Sequence, residues 1–375
     1  MRIGEISMNI NTRACNYGSI LHSWAFQYYL KTYEKIEAVE TLDYVRRDLE
    51  KWNRRFPPVE WIKKRKPKRF LRSLLEYPTY SSRRKRVDRF IRANMSISKR
   101  RYKASDLMTG ELDYDLLVAD SDTIWAPRGD GTFDDGYYLN LPAMQGIKKI
   151  SYAPSMGNAN VNESQKEKLR SLLKGIAHIS CRETYEKKLL ETCTEKKVTK
   201  VLDPVLLLEK TDWDKLVDSK PCSENYGDYI LVYQPVDESP LLEKCARKYA
   251  KEHGKTIVKI TILNRKKKGK LAGMTLVNKC APEQFISLIR NSKAVFTNSF
   301  HMICFSLIFE KDFYAFSRKD DKKVKDICEI TGLTDRFFID MDDYVESSVD
   351  YNAVKSVLSP QIEESKKWLH DAIFK

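Results

Sequence analysis

The sequence predicts an α/β fold, two domains built on parallel sheets and facing a cleft, with a basic, partly helical insertion. Three observations carry this. The chain opens as strand, polar loop, helix and strand over residues 2–43. The same order recurs in KAVFTNSFHMICFSLIFEKDFYAF, Lys293 to Phe316. A stretch rich in proline, cysteine, serine and glycine, Lys220 to Asp228, separates the two. Strand–helix–strand repeats of this kind are the crossover units of parallel sheets.

Residues 2–7 (RIGEIS) predict the first strand. Apolar positions Leu21, Trp24, Ala25, Tyr28 and Tyr29 recur three and four apart, which predicts a helix over 19–33, and 38–43 follow as a strand. The pattern resumes after the insertion with DYDLLVAD and the strand KKISYA (148–153). A helix over 164–174, a short strand over 177–180 and a helix over 182–193 come next. VTKVLDPVLLL then brings a strand edge, with Asp203-Pro204 as a stop and turn. In the second half, strands at 229–235 and 256–263 flank a helix over 241–252. Helices are predicted over 281–290 and 322–330, around the strands at 294–297 and 313–316. The tail 348–374 reads as helix, broken or kinked at Pro360. The expected units are 1–220 with the insertion 46–103, 221–345, and a tail 346–375 that packs back on the first domain.

With 375 residues the chain can bury two ordinary cores. It has no run of 18 apolar residues, so no spanning helix is expected. MRIGEISM reads as a first core strand rather than a signal peptide, and a cytoplasmic address is expected. None of the eight cysteines forms a CxxC pair, so neither a disulfide framework nor a metal site is expected. The net charge of +15 belongs to one segment: residues 46–103 hold 22 Lys and Arg against 5 Asp and Glu. Cations interleaved with Trp52, Phe56, Trp61, Phe70 and Tyr77 suit an anionic membrane surface. A solvated insertion is the plain alternative. No nucleic-acid module signature is present, and no nucleic-acid partner is expected.

Candidate chemistry lies at predicted strand ends, where open α/β sheets bind ligands. His301, one of five histidines, follows a strand with Asn298 and Ser299 beside it. It reads as a general acid or a donor to an anionic oxygen, or as a buried histidine at the start of a helix. Arg182 ends a short strand and suits a carboxylate or phosphate, or a surface pair with Glu183. Ser121 and Asp122 lie in ADSDTIW, whose acids suit a base or a sugar hydroxyl and equally suit a turn. Asn16, Tyr17 and Gly18 form the first strand–helix turn, and Ser155 lies in the glycine-ended loop after 148–153. There is neither a GxGxxG fingerprint nor a GxSxG elbow.

Several stretches together resemble the polysaccharide pyruvyl transferase family along nearly the whole chain. They are NYGSILHSWAFQYYL, DYDLLVADSDTIW, KKISYAPSMG, ISCRE, VLDPVLLLEKTDW, VFTNSFHMICFSLIFEKDFYAF and ICEITGLTDRF. The resemblance implies two Rossmann-like domains arranged as in B-type glycosyltransferases. It implies pyruvyl transfer from phosphoenolpyruvate to a sugar of a cell-surface or exopolysaccharide precursor, forming a cyclic ketal without a cofactor. His301 matches the family's essential histidine and Arg182 its arginine after the middle strand. Arg318 or a lysine of 265–270 would help balance the donor's charge, and Asp122 would orient the hydroxyl. Some members carry an arginine where this chain has Ser299. The acceptor implied is a glycan or lipid-linked saccharide, met at the inner face of the membrane; the oligomeric state is left open. A nucleotide-sugar glycosyltransferase and a non-catalytic relative in polysaccharide assembly are the alternatives.

Overall fold

The computed structural model describes residues 1–7, 15–46, 67–220, 225–235, 238–261, 273–317 and 321–375. Arg318 and the 265–270 loop lie outside the described residues, as does most of the insertion before Pro67. The first sheet holds β1 (Arg2–Ile6), β2 (Ala38–Val45), β3 (Ile97–Lys103), β4 (Leu116–Ala119) and β5 (Lys148–Ser151). Its order is β3-β2-β1-β4-β5, with every pairing parallel. A two-stranded parallel sheet of β6 (Ile179–Cys181) and β7 (Val198–Lys200) joins its edge through an Ile150–His178 bridge. The second sheet holds β8 (Tyr229–Tyr233), β9 (Thr256–Ile260), β10 (Met274–Val277), β11 (Ala294–Thr297), β12 (Asp312–Phe316) and β13 (Phe337–Phe338). Its order is β10-β9-β8-β11-β12-β13, again parallel throughout.

The helices are α1 (Tyr17–Leu30), α2 (Pro67–Asn94), α3 (Glu163–Leu173), α4 (Thr184–Glu191) and α5 (Lys210–Asp218). They continue with α6 (Pro240–Glu252), α7 (Pro282–Asn291), α8 (Phe300–Ile308), α9 (Lys322–Ile330) and α10 (Tyr351–Phe374). Among the described residues no helix is long and apolar enough to cross a membrane.

The sheets reverse strand order at one place each, between β1 and β4 and between β8 and β11. Loops leave a parallel sheet in opposite directions at such a point and open a crevice. One apolar core joins the two halves: Trp213 before β8 packs on Trp24 of α1 at 4.9 Å and edge-on to Phe305 of α8 at 4.8 Å. Aromatic pairs of this kind contribute about 0.5–1.5 kcal/mol each beyond their burial.

Two elements depart from the sequence reading. β3 falls within the predicted insertion, because four of its seven residues are cations, which hide any apolar alternation. It is an edge strand, where charged side chains discourage pairing with another chain. Pro360 does not end its helix; α10 runs continuously through it. Val354 and Leu358 before the proline join the large core, while Leu369, Ala372 and Ile373 after it pack with Ile3, Phe26 and Leu116. Both halves are held by burial, which outweighs the single lost backbone hydrogen bond.

Candidate active site

Polar and charged groups gather where the strand ends of the two sheets come together. In the first sheet, the β4 end carries Asp120, Ser121 and Asp122, facing the start of α1. Asp122 adopts φ 68° and ψ −175°, a conformation that side chains rarely take and that costs about 1–3 kcal/mol. Ser19 donates to its carboxylate. His22 Nδ1 lies 3.0 Å from Asp120 Oδ2 with both side chains buried. In the second sheet, the turn after β11 leads into α8, whose first turn carries His301.

His301 reaches across to the first half. Its ring stacks on His22 at 5.8 Å, and Nε2 lies 3.4 Å from Asp203 Oδ2. This is an ion-pair contact without hydrogen-bond alignment, and among the described residues Nε2 has no hydrogen-bond partner although the side chain is only 9% exposed. Asp203 also accepts from Arg182 Nη1 at 2.7 Å and Ser121 Oγ at 2.9 Å. Arg182 Nε donates to Glu183 Oε1 at 2.8 Å, which accepts from Ser155 Oγ at 3.0 Å. Phe300 covers the Arg182 guanidinium at 4.1 Å. His301, Arg182, Ser121 and Ser155 therefore belong to one buried chain of contacts centred on Asp203, and Asp122 adjoins it electrostatically.

The other predicted residues do different things. Gly18 lies under His301, where a Cβ would stand 2.6 Å from ring Cγ. Asn16 caps α1 through the Gly18 amide, and Tyr17 points into the core, donating to the Cys280 carbonyl at 2.9 Å. Ser299 caps α8, and Asn298 lines a cavity described below.

Burial alone would raise the Asp122 and Asp203 carboxyls, but the charges of His301, His22 and Arg182 more than reverse this and hold both well below the ordinary range. Burial disfavours a charged His22, yet Asp120 raises its pKa overall. Two other acids go the opposite way. Burial pushes Glu5 and Glu186 well above the ordinary range, and the neighbouring Asp120 and Glu183 add to it. An acid raised in the fold stabilises below its unfolded value, here 4.5, and loses that contribution as pH climbs towards the folded value. Glu186→Gln should therefore raise Tm by about 2–4 °C at alkaline pH and leave it nearly unchanged at pH near 4, as read by calorimetry.

Gly18→Ala tests the placement of His301. The added methyl must displace the imidazole, so turnover should fall at least about tenfold while stability falls by about 1–3 kcal/mol. Equal kcat with an undisturbed His301 ring in a crystal structure would refute it.

Asp203 and His22 were not singled out in the sequence. In the sequence Asp203 carries a turn signal before Pro204, and equally the strand-end acid signal that Asp122 carries. His22 lay within an apolar helix, where Ser19, His22, Ser23 and Gln27 form a buried polar stripe at helical spacing.

A cavity of about 460 Å³ opens beside this cluster at the carboxyl edge of the second sheet. Asn158 of the first half closes it, and Ser239, Asn298, Phe300, Asp321 and Lys323 line the other side. It sits at the starts of α6, α8 and α9, and Lys322 ties α9 to the Asn158 and Asn160 side chains at 2.9 and 2.8 Å.

The sequence model of polysaccharide pyruvyl transferase matches residues 16–320. The chain belongs to the polysaccharide pyruvyl transferase family. No curated protein matches it significantly. A solved UDP-N-acetylglucosamine 2-epimerase is similar in fold, with TM-score 0.51 and 12% identity, covering 100% of this chain and 95% of that one. The Methanocaldococcus jannaschii UDP-GlcNAc 2-epimerase in complex with UDP-GlcNAc and UDP gives TM-score 0.50 and 12% identity, covering 96% and 93%. The chain thus has the α/β fold of B-type, Rossmann-like sugar-processing enzymes.

The expectation of pyruvyl transfer from phosphoenolpyruvate is overturned, along with that donor. Both solved structures named above are of enzymes named for UDP-N-acetylglucosamine. The local charge agrees with them. Arg182, expected to hold the donor's carboxylate or phosphate, is already neutralised by Glu183 and Asp203. With Asp120 and Asp122 also present, four acids surround one arginine and two histidines. A small, highly charged anion placed against His301 would meet net repulsion.

Proposed function

We propose that the protein uses a nucleoside diphosphate sugar and transfers its glycosyl group to a saccharide acceptor. The cavity at the carboxyl edge of the second sheet is the observation that carries this. Its size suits a nucleotide-sized ligand. The positive ends of α6 and α8 favour a diphosphate, and the Glu238 carboxylate suits ribose hydroxyls, while Asp321 caps α9. The fold shared with enzymes named for UDP-GlcNAc supports the same donor class.

The acid-rich cluster then has a chemical use. Departure of the diphosphate leaves positive charge on the sugar, which the carboxylates of Asp122 and Asp203 favour. His301 is the proton-transfer group of this step, and ionised Asp203, 3.4 Å from its Nε2, stabilises the imidazolium form. The acceptor is a glycan or lipid-linked saccharide, and the setting is the cytoplasmic face of the membrane. Residues 1–220, 221–345 and 346–375 are the proposed units of the chain, open to limited proteolysis.

The test is a thermal-shift and calorimetric screen of UDP, ADP, GDP and their sugars, with phosphoenolpyruvate as the contrast. At a hundredfold excess over Kd, a nucleoside diphosphate should stabilise the protein by about 2.7 kcal/mol. A screen in which no nucleotide binds, or in which phosphoenolpyruvate binds in the cavity, would defeat the proposal.

A further inference from the structure

The face of α2 turned away from the core has a pattern that the active site does not use. At 100° per residue, Leu71, Leu74 and Leu75 fall within about 60° of one line along the helix. Lys68, Lys85, Arg86, Arg89 and Arg92 fall on that same stripe. The leucines are 60%, 36% and 72% exposed, and the five cations are all exposed. Neither acid of the helix lies on the stripe: Glu76 falls on the core-facing side, and Asp88 beside the stripe pairs with Arg84 at 2.7 Å. The opposite face is core. Arg83, Val87, Phe90 and Ile91 are buried, and Arg83 Nη1 reaches the Asn278 carbonyl at 3.3 Å.

One face of a 28-residue helix thus presents leucines at its beginning and cations at its end. The stripe from Leu71 to Arg92 is about 32 Å long. Water solvates the cations well but gains nothing from three neighbouring exposed leucines. A nucleic acid would match the cations and leave the leucines unsatisfied. An anionic bilayer matches both, with leucine side chains entering the acyl boundary and lysine and arginine meeting the headgroups. The buried opposite face anchors the helix, so docking there requires no unfolding.

We propose that this stripe is a docking surface for anionic phospholipid membranes. The proposal does not depend on which sugar donor the enzyme uses. The full chain is sedimented with vesicles of phosphatidylcholine, with and without phosphatidylglycerol, over a range of salt. Binding should require phosphatidylglycerol and weaken as salt rises. Lys85→Glu with Arg86→Glu and Arg89→Glu should lower the partition coefficient by roughly a hundredfold or more. Leu71→Ser with Leu74→Ser and Leu75→Ser should lower it on the order of tenfold per leucine, while the salt dependence remains. All six positions are exposed, so circular dichroism and Tm should stay at wild-type values. The proposal fails if the wild-type chain stays in the supernatant or binds phosphatidylcholine equally well. It also fails if either variant binds as the parent does. Tight binding of a single-stranded oligonucleotide that the leucine variant keeps, with no vesicle binding, would assign the face to nucleic acid and overturn it.

Discussion

His301→Ala is expected to lower kcat by about a hundredfold to ten-thousandfold while the chain stays folded. The ring brings the start of α8, in the second half, against the acids of the first. It stacks on His22, rests over Gly18 and stands 3.4 Å from Asp203. An alanine there removes the imidazole that the proposed reaction uses for proton transfer. It also leaves Asp203 with Arg182 and Ser121, so the rest of the network keeps its geometry. The readout is release of nucleoside diphosphate from the sugar nucleotide chosen by the binding screen, with circular dichroism as the control for folding. A variant with wild-type turnover would show that His301 only fills space.

Arg182→Met is expected to cost about 3–5 kcal/mol of stability, the largest effect on folding anticipated for a single site here. The arginine is buried between Glu183 at 2.8 Å and Asp203 at 2.7 Å. A methionine approximates its stem but leaves two carboxylates without their cation. The penalty therefore comes from the partners left behind rather than from lost packing. Urea unfolding should show a lower midpoint with an unchanged slope. Adding Asp203→Asn to Arg182→Met should restore part of the loss, because one orphaned charge has gone; strict additivity of the two changes would refute this account.

Much of the layout was legible in the sequence because parallel sheets write their repeat into it. The strand over 294–297 and the helix over 322–330 have the predicted bounds, since a β-prone run and a periodic helix each have clear ends there. β3 and β10 were not legible: β3 is mostly cationic, and β10 is only four residues long and follows a strongly basic stretch of sequence. The unusual backbone at Asp122 was not legible either, because nothing in an Asp-Ser-Asp run demands a positive φ at the second acid.

At the site, the sequence by itself determined that His301, Arg182, Ser121 and Asp122 stand at or just beyond strand ends, since alternating strands and helices force polar side chains there. Only the tertiary structure decided what each of them faces. Asp203 is 98 residues from His301 and 21 from Arg182, yet it touches both. Whether a cation is available to a substrate depends on its distance to every acid, and that distance is a property of packing, not of order along the chain. Arg182 read as a donor-binding cation in the sequence, and it became an internally neutralised one when β6 and the Asp203 turn were brought together. That pairing agrees with the comparisons that overturn the expected phosphoenolpyruvate donor.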